Sequence, residues 1–302
     1  MRPPTPLPSP FATAPFTVRA ALDAGATARR VRSVEFVAPY RGVRAPRQGA
    51  DSLISRCRAY AAIMPSGHVF SGRTAAMLCG LPLPASIEVD RRIEVTALAG
   101  GRAPRGRGVL GQSTRRSPRL VQVARVPGVR MTSPADAWCE LATTLSLDDL
   151  IAAGDRLLGL PRPLASLEQI DAAIVRHGRR RGATSLRAAR AEMRANVYSR
   201  RETFVRLALV RAGLPEPEPN AFIELRRGRR TRGDLVFRAY RVLVEYDGEQ
   251  HLFDTAQWAT DVARLNDLAE AGWRVIRITK QMSRAEIVAR TERALRDLGW
   301  RG

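Results

Sequence analysis

A chain of 302 residues has room for two or three domains of ordinary size, and 45% hydrophobic with 26% charged residues excludes collagen, a simple coiled coil and wholesale disorder. Fifty Lys and Arg against 29 Asp and Glu give a net charge of +21, which points to a polyanionic partner. No apolar run approaches the roughly 18 residues of a membrane span, and three scattered cysteines (Cys57, Cys79, Cys139) suggest neither a disulfide framework nor structural zinc, so a cytoplasmic protein is expected.

Residues 1–15 contain six prolines and read as a disordered arm rather than a secretory signal. Val18, Ala21 and Leu22 then fit one face of a short helix that Gly25 breaks. Arg29, Arg30 and Arg32 stud a second short helix, and an extended piece follows from Phe36 to Val43. Over 16–50 this is the layout of a winged helix-turn-helix, with the three arginines turned to DNA; a small structural helical hairpin has the same pattern. Region 51–198 reads as α+β. Leu53 to Met64 is helical, and a helix from Ser71 is stopped by Gly80 with Pro82 beyond. Ile87 to Leu98 reads as a strand, Ala99 to Pro118 as a Gly/Arg/Pro loop, and Leu120 to Val126 as a strand. Ser133-Pro134, Ser146 to Asp149 and Ser166 to Gln169 each open a helix. Arg176 to Arg201, with nine arginines and one acid (Glu192), is a basic helix or linker.

Region 199–302 reads as a separate α-β-β-β-α-β-α domain. An amphipathic helix carries Phe204, Leu207 and Ala208 and ends at Gly213. Two strands, Phe222 to Leu225 and Asp234 to Phe237, flank a basic turn with Arg226, Arg227, Arg229 and Arg230, which suits phosphate contacts. Arg241 to Asp247 alternates, placing Val242, Val244 and Tyr246 on one face and Leu243, Glu245 and Asp247 on the other. A helix with Trp258, Val262, Leu265 and Ala269, a strand from Trp273 to Thr279 and a helix from Arg284 to Leu298 complete it.

Asp and Glu are poor strand residues and costly to bury unpaired. Asp234 and Glu245 can meet across a hairpin, with Asp247 one pleat on. Such carboxylates suit a hard divalent cation, Mg²⁺ or Mn²⁺, that can activate a water against a phosphodiester. His251 follows the strand as a proton carrier or phosphate contact. Other readings stand beside these. Glu202 completes a Ser199-x-x-Glu202 capping box, Asp247-Gly248 is a turn dipeptide, and Asp261 with Arg264 fits a surface ion pair on a helix.

Glu202, Gly233-Asp234-Leu235, Val244-Glu245-Tyr246-Asp247-Gly248, His251, Asp261-x-x-Arg264 and Gly272-Trp273-Arg274-Val275 together resemble the very-short-patch-repair-like endonuclease domain. This is domain of unknown function 559, within the PD-(D/E)xK superfamily of restriction-endonuclease-like folds. The resemblance covers Ser199 to Trp300. It implies Asp234 and Glu245 as Mg²⁺ ligands, with Asp247, His251 and Glu202 as further catalytic candidates. The motif lysine is replaced by Asp247; the single lysine, Lys280, ends the fourth strand of this domain. Phe16 to Val43, Phe70-Ser-Gly-Arg-Thr-Ala-Ala76 and Gly80-Leu-Pro-Leu-Pro84 are similar to abortive-infection type IV antitoxins, which are winged-helix repressors. Two functions are implied: a Mg²⁺-dependent DNA endonuclease, or a non-enzymatic DNA-binding regulator or antitoxin with a degenerate nuclease fold and a cognate toxin as partner.

Overall fold

A computed structural model of the chain describes residues 9, 11–124, 126–247 and 255–302, without the side chains of 227 and 255–259. Most of the expected arm, together with Gly248, His251 and the Trp258 side chain, lies outside the described residues. Residues 11–13 form a turn, and Phe11 packs edge-on against Phe16 with ring centroids 5.3 Å apart. The architecture is mixed α/β, and the chain divides into two compact units, Met1–Thr144 with Glu168–Ala183, and Leu145–Leu167 with Thr184–Gly302. Segments 145–167 and 184–198, which the sequence reading grouped ahead of residue 199, belong to the second unit.

The first unit opens with β1 (Phe16–Thr17), α1 (Val18–Asp23), α2 (Ala28–Val31), β2 (Phe36–Val37) and β3 (Val43–Pro46), the strands pairing in the order β1-β3-β2. Thr17 and Thr27 are the N-caps, their hydroxyls accepting from Ala20 N and Arg30 N at 3.1 and 3.2 Å. Phe16, Ala21, Val31 and Phe36 form a small core beneath them.

Then follow α3 (Leu53–Ala61), β4 (His68–Phe70), α4 (Gly72–Cys79), α5 (Ala85–Glu88), β5 (Ile93–Ala97), β6 (Val109–Ser113), β7 (Leu120–Gln122), β8 (Arg130–Thr132) and α6 (Pro134–Glu140). The five strands form one mixed sheet in the order β6-β5-β4-β8-β7. The chain next contributes α7 (Leu147–Leu158) to the second unit and returns to the first in α8 (Leu167–His177).

Three expectations are corrected here. Ile87 and Glu88 are helical, because Pro84 starts a turn of helix, and the strand begins only at Ile93. The 99–118 loop contains β6, which pairs parallel to β5 from Ile93↔Val109 to Ala97↔Ser113. The strand from Leu120 ends at Gln122, and Val123 and Val126 are buried in a turn. The helix stopped by Gly80 is as expected, with Gly80 in the left-handed region at φ 76°. Ser71 does not cap it with its side chain. Remote carboxylates do so instead: Gly72 N donates to Glu140 at 2.6 Å and Arg73 N to Glu94 at 2.7 Å. A Cβ on Gly72 would lie 1.8 Å from a Glu94 oxygen, so this close approach requires glycine.

The second unit adds α9 (Ala183–Glu192), α10 (Arg200–Arg211), β9 (Glu218–Glu224), β10 (Arg230–Phe237), β11 (Val242–Tyr246), α11 (Thr255–Glu270), β12 (Arg274–Ile278) and α12 (Arg284–Asp297). From α10 onward the element order is the expected α-β-β-β-α-β-α. The sheet runs β12-β11-β10-β9, antiparallel except for β11 and β12. Those two are parallel because the long crossover through α11 returns the chain to the same end of the sheet.

Alternation divides the sheet as anticipated. Val242, Val244 and Leu235 face α10 and α12, meeting Val205, Leu209, Ile287 and Leu295. Leu243 and Val236 face the other way, meeting Ile223 and Leu268 of α11. Among the described residues no helix is long and apolar enough to cross a membrane.

Candidate functional site

The site forms where the β9–β10 ladder skips a pair. Gly233↔Ala221 and Leu235↔Pro219 are paired, but Asp234 and Asn220 between them are not, and Asn220 takes a left-handed φ of 47°. Pro219 and Asn220 explain the break, since proline donates no ladder hydrogen bond and β9 is an edge strand. Both freed side chains turn to polar work. Asp234 Oδ2 accepts from the backbone N–H of Tyr246 on β11 at 2.9 Å, and Asn220 Nδ2 donates to Glu202 Oε2 at 2.6 Å.

Glu202 is buried at the start of α10. Its oxygens accept from Ser199 Oγ at 2.8 Å and Tyr198 N at 3.1 Å, and its own N–H donates to Ser199 Oγ at 3.2 Å. The capping reading is therefore realised, and Asn220 brings the same carboxylate to the sheet. Burial first, then the charges of Glu202 and Glu245, push the Asp234 carboxyl up to about 6 against the Tyr246 N–H and Arg264. Asp234 thus senses one carboxylate on α10 and another on β11.

Glu245 shares its face with Leu243 and is claimed by α11. Arg264 Nη1 donates to Glu245 Oε2 at 3.0 Å and Nη2 to Oε1, while Arg264 Nε reaches Thr231 Oγ1 at 2.7 Å and Nη2 the Arg232 carbonyl at 2.8 Å. Arg264 is therefore a half-buried strut between helix and sheet, its fork taken by Glu245 and β10, in place of the surface pair with Asp261 that helical spacing suggests. Asp247 is engaged by Arg277 of β12, whereas the charge of Glu245 acts on Asp234. Among the described residues no three His, Cys, Asp or Glu side chains are grouped as a metal site. His251 lies outside the described residues.

The basic residues separate by environment. Arg29 and Arg32 are exposed, whereas Arg30 is turned inward, ion-paired with Glu35 and stacked 5.4 Å from the Phe36 ring. In the turn around Gly228, which has φ 68°, Arg226 is exposed and Arg229 pairs with Asp267 at 2.6 Å. The Arg227 side chain lies outside the described residues. Arg230 sits 4.6 Å from the ring centroid of Phe222, and Arg232 4.4 Å from the same ring. Arg232 also donates to the Tyr198 hydroxyl at 2.9 Å. Phe222 and Tyr198 are 44% and 45% exposed, so this arginine-aromatic surface meets solvent beside the acidic site.

Sequence reasoning missed Asn220, the partner of Arg264, and this aromatic surface. A Pro-Asn pair inside a strand was the available signal for the first. The other two depend on contacts between distant segments.

No family model matches the chain. Two Mycobacterium tuberculosis proteins are similar to it over 165 residues at 28% identity: "Uncharacterized protein MT2308" (strain CDC 1551 / Oshkosh) and "Uncharacterized protein Rv2248" (strain ATCC 25618 / H37Rv). The match takes in 55% of this chain and 60% of each relative.

Proposed function

We propose that the protein acts on DNA, its second unit being a restriction-endonuclease-like domain that hydrolyses phosphodiester bonds with Mg²⁺ or Mn²⁺. The observation that carries this reading is Asp234, half-buried at a break in the sheet, its carboxyl raised by that burial and by the charges of Glu202 and Glu245. Such a position favours a cation or a proton. The α-β-β-β-α-β-α order and the four-stranded mixed sheet support it, as does the motif resemblance. Exposed Phe222 and Tyr198, interleaved with Arg230 and Arg232, are the kind of surface on which bases stack while arginines meet phosphates.

The donor chemistry fits a hard divalent ion, because Asp234 and Glu245 offer carboxylate oxygens. Both Glu245 oxygens are held by Arg264, so loading the site exchanges a guanidinium for the ion. When bound, the ion would polarise a phosphodiester oxygen and lower the pKa of a water. Glu202 and Asn220 hold the break open, and the Tyr246 N–H orients Asp234.

Wild-type protein is expected to bind Mn²⁺ in calorimetry and to nick supercoiled plasmid. Asp234→Ala or Glu245→Ala should cut nicking by about 100-fold or more, while DNA binding by the full chain is retained. Absence of Mn²⁺ and Mg²⁺ binding by the wild type would end the nuclease reading. A specific observation favours a second reading, a regulator or antitoxin with a degenerate nuclease fold: Arg264 and Arg277 neutralise Glu245 and Asp247, and the motif lysine is replaced. Metal binding without cleavage of duplex, mismatched or single-stranded substrates would select it.

For DNA delivery we infer a winged-helix-like surface in 16–50. Replacing exposed Arg29 and Arg32 together by Ala should weaken duplex binding about tenfold near physiological salt and flatten its salt dependence. Replacing exposed Arg179 and Arg181, the same charge loss, should cost less. Equal losses in gel-shift titrations would mean that bulk charge acts and that the short helix has no special part.

A further inference from the structure

A polar cavity of about 300 Å³ lies wholly within the first unit. Its lining includes Gln112, Arg116, Ser117, Glu140, Arg176 and Arg180. The three arginines differ in how their charge is met. Arg176 grips Asp136 with Nε at 3.1 Å and Nη2 at 2.8 Å, so its charge is matched. Arg116 and Arg180 are held by backbone instead. Arg116 Nη1 donates to the carbonyls of Arg176 at 2.6 Å and His177 at 3.0 Å. Arg180 Nε donates to that same His177 carbonyl at 3.0 Å, and its Nη2 lies 3.0 Å from His177 Nδ1. Two guanidiniums thus converge on one carbonyl oxygen. Among the described residues neither has a carboxylate within ion-pair distance.

The bland explanation is that cations gather at the C-terminus of α8. A helix end supplies about half an elementary charge, against two guanidiniums on solvent-exposed residues, so the helix end alone does not match their charge. The arrangement is also fixed, because each guanidinium has one edge pinned to the end of α8. Burial and the charge of Arg116 hold the Arg180 guanidinium below its ordinary value, outweighing the opposite pull of Glu140 and Asp136.

We propose that this cavity binds a small molecule bearing a phosphomonoester, its dianionic head between Arg116 and Arg180. A charge of −2 matches the two unmatched cations, where a carboxylate would match one. Guanidinium N–H pairs suit tetrahedral oxyanions. The Ser117 hydroxyl and the Gln112 amide are further donors in the lining. Glu140 would oppose an anion if fully charged, but burial pushes its carboxyl up to about 7, which weakens that opposition near neutral pH. A volume at the lower end of ligand pockets admits a small metabolite and excludes a duplex.

The test is calorimetric titration of the full chain with inorganic phosphate and with glycerol 1-phosphate, at ionic strength held constant with chloride. One site per chain is expected for each probe, glycerol 1-phosphate binding more tightly. Arg180→Gln and Arg116→Gln should each weaken it about tenfold, Arg180→Lys less, and Arg179→Gln, a neighbour of the same charge outside the lining, not at all. Because Arg116 also caps α8, melting curves accompany each variant, and the Arg180 pair carries the test if Arg116→Gln unfolds. No binding of either probe at millimolar concentration, or wild-type affinity in Arg180→Gln, would overturn the proposal. So would an Arg180→Gln loss confined to duplex DNA, which would make these arginines backbone contacts.

Discussion

Arg206→Ala is expected to lower the unfolding free energy of the second unit by about 3–5 kcal/mol, the range for a buried ion pair that loses one partner. The side chains of Arg206 and Asp155 are 2% and 0% exposed, and their Nη2–Oδ2 distance is 2.9 Å. Asp155 also accepts from Thr203 Oγ1 at 2.8 Å and Arg194 N at 2.7 Å, and Arg206 Nη2 donates to the Glu192 carbonyl at 2.9 Å. One carboxylate therefore ties α7 and the segment after α9 to α10. Even with these donors, burial holds the Asp155 carboxyl above its ordinary value. Without Arg206 the carboxylate must protonate or stay buried and charged, so the deficit should shrink as pH falls. Replacing both partners with apolar residues, Asp155→Leu with Arg206→Met, should recover much of the loss. Denaturant titration of the three variants checks this, and a loss below about 1 kcal/mol for Arg206→Ala would contradict the buried pairing.

The second large effect is a pH dependence carried by Asp234. Its folded value of about 6 stands above an ordinary 3.8. The folded state therefore holds the proton more tightly than the unfolded state. That contribution is fully present below pH 3.8 and is lost as pH rises through about 6. That difference corresponds to about 3 kcal/mol, and partial solvent exposure reduces this to about 2 kcal/mol. Asn keeps an acceptor for the Tyr246 N–H and carries no charge, so Asp234→Asn should stabilise the second unit by that amount at pH 7 and hardly at all near pH 4. Glu140, whose carboxyl also titrates in this region, is common to both proteins and cancels in the comparison. Parallel stability–pH curves for wild type and Asp234→Asn would show that Asp234 is not the group responsible.

The C-terminal elements were legible because their signals are local. Val242 to Tyr246 alternates, Ser199 and Gly228 mark a cap and a turn, and Gly272 follows α11. The acids were legible for the same reason, as charges inside apolar strands. Strand β6 was hidden because Val109-Leu-Gly-Gln-Ser113 is short and only half apolar, and what makes it a strand is the edge of β5 beside it. The division into units was hidden because Asp155 and Arg206 lie 51 positions apart, and nothing in the helix around either residue announces the other. Arg264 illustrates the same limit: helical spacing offers Asp261, whereas the fold offers Glu245, a better bidentate partner in a drier place.

The passage of the chain through α7, back through α8 and out again at Thr184 has a consequence for dissection and for synthesis. Neither unit is one uninterrupted stretch, so a knife at residue 198 or 199 severs the second unit rather than releasing it. A fragment beginning at Ser199 would keep Arg206 and leave Asp155 behind. On the ribosome the first unit cannot close until residue 183 has emerged, by which time α7 is already waiting for a sheet not yet made. Recombination that swaps either unit for a homologue must therefore exchange two separate pieces at once, which ties the inheritance of the two halves together.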